Sequence, residues 1–573
     1  MRPDGKAEGP RQSMSWLHTW SSLILGWLLF AIFLTGTLSY FRNEITAWMQ
    51  PELHASLSNI SQPKQVEIAV AALQQRAPDA SAWHIRLPND REISTRINIR
   101  LPGEDPTARR GGENHVINTS TGEEITARET RGGNFLYRFH FDLYGLPRPW
   151  SRWLVGIATL FMFVAIVSGI ITHKKIFKDF FTFRPGKGQR SWLDAHNATA
   201  VFALPFHLMI TFSGLLLLMY LLMPWGIEQV ADDRRQFLMS LSKPTETIKP
   251  ATNTAVPGQH SEQRRQQTRQ QEQGRTRTVI HRTEPAVAMA DITSLIKKAQ
   301  STWPDNSIAQ VSVIAPNTAN ARVELRADKA DSLLTRNTTP TITYNGITGE
   351  RINDAQETAG TSISTAIFSI TTILHEGRSL DLSLRWLLFL SGILGTAMVG
   401  TGLVLWSVKR APQQLKLGYK PFGHRLVEIL NITTVAGMPL ACATFFWANR
   451  FIPVGVEGRP EIEIHLFFTA WFVSLVHAAL RPPRQAWIEQ LALAALLMLL
   501  LPLLNPLTGG HGLITSIRND QWLIASFDLA SLVLAVCLSF SAYKVCKAPL
   551  TRQPHKKRTA IATDKSLIAD RTA

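Results

Sequence analysis

Eight stretches of this chain are apolar over the length a helix needs to cross a bilayer, and few folds can bury that many. They fall at about residues 20–40, 153–172, 197–222 and 386–406, then at 427–447, 463–480, 487–505 and 521–543. Backbone inside lipid must satisfy its own hydrogen bonds, so this pattern predicts a polytopic α-helical membrane protein with about eight transmembrane helices. No small-residue cleavage site follows the first stretch, which reads as a retained anchor and not a signal peptide.

Sixty Lys and Arg against 43 Asp and Glu give a formal charge of +17, a balance that would suit nucleic acid if it covered one face. Instead the basic residues crowd the span ends. Lys174, Lys175, Lys178, Arg184, Lys187 and Arg190 follow the second span, Lys409, Arg410 and Lys416 the fourth, Arg481 and Arg484 the sixth, Lys544 and Lys547 the eighth. Such a distribution places both termini and the basic loops in the cytoplasm and two large polar regions outside, with no role for nucleic acid.

The expected organisation is an N-terminus with the first span (1–41), a polar module (42–150), a two-span hairpin (151–224) and a second polar module (225–380). The fourth span (381–410), four more spans (411–545) and a cytoplasmic tail (546–573) complete the chain. Each module should be a small α+β unit, with a helix-like run at 66–76 and alternating strand-like pieces at 82–87 and 97–101 in the first. Residues 254–284 are rich in Gln and Arg and nearly without apolar side chains, the composition of a disordered linker.

The chain also reads as two copies of one unit. Ser15-Trp16-Leu17-His18 has Thr35-Gly36 behind it, and Ser191-Trp192-Leu193 with His196 has Ser213-Gly214 at the same offset. Arg152-Trp153 leads to Ser168-Gly169 as Arg385-Trp386 leads to Thr401-Gly402. Pro78-Asp79 and Thr121-Gly122-Glu123 recur as Pro304-Asp305 and Thr348-Gly349-Glu350. His18 therefore corresponds to His196 and His140 approximately to His375, whereas His173 and His207 stand alone.

Imidazoles inside a membrane are costly unless they serve something, and haem iron is a common client. His196 and His207 are eleven residues apart, roughly 16 Å along a helix, so they occupy two depths. Two haem centres at different levels would suit electron transfer across a bilayer, with His196, His207, His173, His375, His18 and His140 as candidate ligands. One arrangement pairs two of His18, His173 and His196 at the cytoplasmic ends and His207 with His140 or His375 above. A symmetric alternative pairs His18 with His196 and His140 with His375. Glu44 and Asp142 read as solvated surface carboxylates, with a role as acceptors behind the imidazoles as the alternative. His424 and His465 read as structural, and His54, His84, His115, His260, His281, His477 and His511 as solvated or merely polar. Cys442, Cys537 and Cys546 lie in or beside later spans without metal-type spacing, and read as small membrane hydrophobes. The chain has no recognisable nucleophile triad, P-loop or nucleotide-binding glycine motif, hence no flavin or nicotinamide site.

The repeated Ser-Trp-Leu-His…Thr-Gly unit, followed by Arg42-Asn43-Glu44 and a module ending in Thr-Gly-Glu, resembles the PepSY-associated transmembrane family. Ser168-Gly-Ile-Ile-Thr-His173-Lys-Lys, Asp194-Ala-His196-Asn and Leu204-Pro-Phe-His207-Leu-Met-Ile look like its iron-regulated, haem-containing branch, over about residues 12–410. The resemblance implies an internally duplicated 2+2 helical core with two periplasmic PepSY-like modules in a bacterial inner membrane. It implies a membrane oxidoreductase with two b-type haems that reduces a periplasmic ferric siderophore or ferric chelate, fed by a quinol or a cytoplasmic reductase. A haem-free scaffold that regulates a periplasmic protease, or an iron-chelate transporter, would be alternatives. The job of the last four spans is not implied.

Overall fold

The computed structural model of the protein describes residues 9–56, 60–108, 111–173, 183–223, 286–330, 339–352, 363–377 and 380–548. The expected linker at 254–284, most of the basic stretch at 174–182, His260, His281 and the tail beyond 548 lie outside those residues.

Four transmembrane elements carry the first part of the chain. Helix α1 (Pro10–Ser39) starts on a proline, whose missing N–H costs nothing at a first turn. After α2 (Arg42–Trp48), a 3₁₀ turn (Pro51–Ser56) and α3 (Gln62–Arg76), the short α4 (Gly133–Phe141) leads into the second spanning helix, α5 (Arg148–Thr172). The third expected span is broken. Helices α6 (Gln189–Phe202) and α7 (Leu204–Leu222) meet at a 68° bend, where Pro205 removes a backbone donor. After α8 (Ile292–Thr302) and α9 (Ile363–Glu376), α10 (Leu382–Leu417) runs 36 residues to Gly418, whose left-handed φ of 74° ends it.

The remaining spans are α11 (Phe422–Val435) continued by α12 (Gly437–Phe451), then α13 (Arg459–Leu480), α14 (Pro483–Leu507) and α16 (Trp522–Lys547), with a short α15 (Leu513–Arg518) between the last two. Seven helices, or eight if the bent pair counts as one, are long and apolar enough to cross a membrane, so the chain is a multi-pass membrane protein.

The two polar regions do not form separate sheets. Strands β1 (Ala82–Arg86), β2 (Thr95–Arg100) and β3 (Glu113–Ile117) join β4 (Ile308–Ile314), β5 (Arg322–Ala327), β6 (Thr341–Asn345) and β7 (Arg351–Ile352) in one antiparallel sheet of order β3-β2-β1-β4-β5-β6-β7. The seam is β1 against β4, with Trp83 opposite Val313 and Ile85 opposite Val311. Alternation puts Trp83, Ile85, Ile97, Val311, Val323 and Leu325 on the face that α3 and α8 cover.

Polar side chains tie the last spans to the segment after α1. Trp48 Nε1 donates to Asp528 (2.8 Å), Arg450 donates to the Trp48 carbonyl, and its guanidinium lies 4.3 Å from the Trp48 ring. His54, read from the sequence as solvated or merely polar, is only 1% exposed here. Burial, reinforced by the Arg450 charge, pushes its pKa from 6.5 down to about 3. The folded protein therefore keeps His54 neutral while the unfolded chain takes up a proton below pH 6.5. Stability should fall as pH drops from 6.5 towards 3, by up to about 1.4 kcal/mol per unit from this group, and His54→Gln should flatten that slope in thermal unfolding.

Candidate functional site

Four of the six candidate histidines meet in two pairs. At site A, His18 of α1 faces His196 of α6 with ring centroids 6.2 Å apart and planes at 63°. At site B, His140 of α4 faces His375 of α9 at 6.0 Å and 44°. Helix α1 reaches both, with His18 at A and Ile32 and Gly36 at B, so roughly 21–27 Å of helix rise separates them.

Each imidazole is held from behind in the same way. His18 Nδ1 donates to the Ala165 carbonyl of α5 (2.8 Å), His196 Nδ1 to Met398 of α10 (2.9 Å) and His140 Nδ1 to Ile32 of α1 (2.8 Å). His375 Nδ1 lies 2.8 Å from Ser213 Oγ, which is also 3.1 Å from the Ile210 carbonyl of the same turn. A carbonyl can only accept, so in His18, His196 and His140 the proton sits on Nδ1 and the Nε2 lone pair is left free to bind.

Each of these carbonyls lies one turn before a glycine, and that glycine makes the notch for the ring. A Cβ added at Gly36 would sit 2.6 Å from His140 Cε1, at Gly402 3.1 Å from His196, at Gly169 3.2 Å from His18, and at Gly214 3.3 Å from His375. The hydroxyl before each glycine bonds back along its own helix, as in Thr35 to Ala31 (2.7 Å), Ser168 to Val164 (2.6 Å) and Thr401 to Ala397 (2.7 Å). The repeated Ser/Thr-Gly pairs are thus the seats of the imidazoles, a role the spacing of the repeats alone does not disclose.

Site B opens on a cavity of about 320 Å³ lined by Leu29, Phe33, Met162, Phe206 and Leu218 with Tyr137, Arg42, Arg91 and Arg152. Arg91 donates to the Tyr40 carbonyl (3.2 Å) and pairs with Glu44 at 3.3 Å. Glu44 also binds Arg385 (2.6 Å), and Asp142 accepts from Ser151 (3.0 Å) and faces Arg152 at 3.8 Å. Both carboxylates therefore serve arginines and not imidazoles, against the alternative role considered for them.

His207 and His173 stand outside the pairs. His207 is fully buried between Phe33, 6.2 Å away ring to ring, and Gly395, and neither ring nitrogen makes a hydrogen bond of ordinary geometry. The bend at Ala203 separates its direction from that of His196, which is why equal spacing along one straight helix fails here. Replacing His207 with leucine removes a buried ring without a well-formed hydrogen bond and should leave stability unchanged or raise it by about 1 kcal/mol in thermal unfolding. His173 Nε2 accepts from Asn197 Nδ2 at 3.3 Å.

Ring spacing alone does not define such a site. His54 and His511 also lie 6.0 Å apart, yet His54 Nε2 donates to Ala47 (3.0 Å) and its Nδ1 accepts from the His511 N–H (3.2 Å). Both nitrogens are spent. His424 receives a hydrogen bond from Gln414 (2.8 Å) and His465 packs near Tyr144, consistent with structural roles. Among the described residues no group of three or more His, Cys, Asp or Glu is arranged around a metal position.

Residues 15–409, more than two thirds of the chain, match the family model for the PepSY-associated TM region, and the chain belongs to that family. No curated protein matches it.

Proposed function

We propose that this member of the PepSY-associated transmembrane family is a two-haem membrane oxidoreductase that moves electrons across the bilayer to a ferric chelate such as a ferric siderophore. The observation that carries this reading is the pair of imidazole pairs, at 6.2 and 6.0 Å, each ring anchored through Nδ1. Allowing about 1 Å from ring centre to nitrogen, facing imidazoles at this separation leave about 4 Å, room for two metal–nitrogen bonds of about 2.0 Å. Two ligands without a third protein donor suit a metal whose other ligands come from a macrocycle, and b-type haem is that cofactor. Held by these imidazoles, such a haem would supply reversible one-electron transfer.

His18 and His196 would hold the haem at A, and His140 and His375 the haem at B. The anchoring carbonyls fix the tautomer and raise the basicity of Nε2. Arg42, Arg91 and Arg152, on the cavity wall, have the charge to take the carboxylates that a haem carries. Leu29, Phe33, Met162, Phe206 and Leu218 give the cavity at site B an apolar wall.

In this reading the protein lies in a bacterial inner membrane with its basic span ends, site A and both termini on the cytoplasmic side. The shared sheet is then periplasmic, built from two PepSY-like modules of an internally duplicated 2+2 core. A quinol or cytoplasmic reductase supplies electrons at A, and the ferric chelate is reduced near B. Iron leaves the chelator after reduction because hard oxygen ligands hold ferrous iron weakly. The test is reoxidation: protein reduced with dithionite should lose its ferrous-haem band on mixing with ferric chelate, with ferrous iron trapped in equal amount. A band that persists unchanged contradicts the assignment of the acceptor.

A further inference from the structure

The helices from α11 onward contribute no ligand to either pair, yet one face of α4 is built into them. Phe135 and Phe139, 4% and 6% exposed, point away from the cavity into α12 and α13. Phe135 lies 5.1 Å from both Phe445 and Phe467, and Phe139 lies 5.4 Å from Phe468 and 6.2 Å from Trp471. His140 is the next residue, and with Tyr137 and Phe141 it turns to the cavity.

The approach to α4 is pinned to the same helices. Thr130 donates to Glu463 (2.6 Å), Arg128 to the Asn449 carbonyl (2.7 Å) and Arg459 to the Glu129 carbonyl (2.7 Å). Gly133 admits no side chain at all, since a Cβ would lie 2.1 Å from the Arg42 carbonyl oxygen.

The opposite ligand is held differently. Helix α9 leans on α7, while Ile363, Ile367 and Leu374 are 80%, 55% and 38% exposed, so its outward stripe meets no wall of the chain among the described residues. Pseudo-equivalent ligand helices thus have unequal support.

We propose that α12 and α13 form a positioning wall whose aromatic face, acting through Phe135 and Phe139, sets the orientation of the His140 ring and so the affinity and potential of the haem at site B. This rests on the haem reading above. It gives the last spans a task in the redox centre beyond added bulk, because an axial ring that can turn or retreat binds iron less well and tunes it differently.

The test uses the intact protein in detergent, with site A as the internal control for folding. Phe139→Leu and Phe467→Leu should speed haem loss to apomyoglobin about tenfold for one haem of the two and shift one of two redox steps, leaving the other unmoved. Thr130→Ala, which frees the Glu463 contact without opening the core, should do the same in weaker form. Ile367→Ala, on the exposed stripe of α9, should change neither step. Unchanged haem loss and potentials in all three wall variants overturn the proposal, as does equal loss from both sites, which would mark a general loss of stability. Wild-type protein that folds without haem defeats the haem reading itself and takes this inference with it.

Discussion

Replacing His196 with alanine is expected to strip one haem of two from the purified protein, and replacing His18 should strip the same one. The rings face each other at 6.2 Å with both Nδ1 atoms committed to backbone carbonyls, so neither has another partner for its Nε2 among the described residues. Loss of one axial ligand from a two-ligand centre leaves the cofactor on a single bond, and the expected fall in affinity exceeds the 10- to 100-fold typical of losing only a supporting contact, an order-of-magnitude scale. The His18→Ala, His196→Ala double variant should then lose no more than either single one, because residues that act as a unit are non-additive. His140→Ala and His375→Ala should remove the other haem. His207→Leu should keep both. Haem counted per chain after purification checks the whole set; loss of haem on replacing His207, with retention on replacing His18, would reverse the pairing.

The second large effect is at the glycine seats. Gly36→Ala places a methyl carbon 2.6 Å from both Cε1 and Nδ1 of His140, closer than real contacts allow, and that imidazole cannot swing aside without giving up its bond to Ile32. The substitution should cost site B its haem while α1 still crosses the membrane, since alanine favours helix more than glycine by about 1 kcal/mol. Gly402→Ala and Gly169→Ala, with contacts of 3.1 and 3.2 Å, need shifts of only tenths of an ångström and should weaken site A mildly. Gly402→Leu should empty it. Gly423→Ala, where nothing lies within 4 Å, is the neutral control. Equal haem content in Gly36→Ala and Gly423→Ala would mean that the notch does not seat the ring.

Much of this arrangement was legible in the residues. The apolar runs located every span, with ends within about five positions for the second and the last four. Helix α1, however, begins ten residues before the expected start and α10 runs eleven past the expected end, because helix continues beyond the apolar stretch. The match between Ser15–His18 and Ser191–His196 suggested, as the second of two arrangements, a pairing of His18 with His196, whose rings lie 6.2 Å apart. Spacing along one helix misled at His207, since Pro205 bends the span by 68° and turns that ring toward Phe33. His140 and His375 each lie on a short helix before the next span, a geometry that no periodicity signals. The seam between β1 and β4 was invisible for a different reason: strand alternation shows which face is buried but not which edge is paired. Nor could composition reveal that Phe135 and Phe139 meet α13, more than 300 residues later.

The central claim, that these imidazole pairs grip haem, is tested most directly by the haem-to-protein ratio of the purified, folded chain, read from its reduced pyridine haemochrome. Two haems per chain, with b-type bands that titrate in two one-electron steps, is the result expected. A folded, monodisperse preparation that is colourless after expression with ample haem would contradict it.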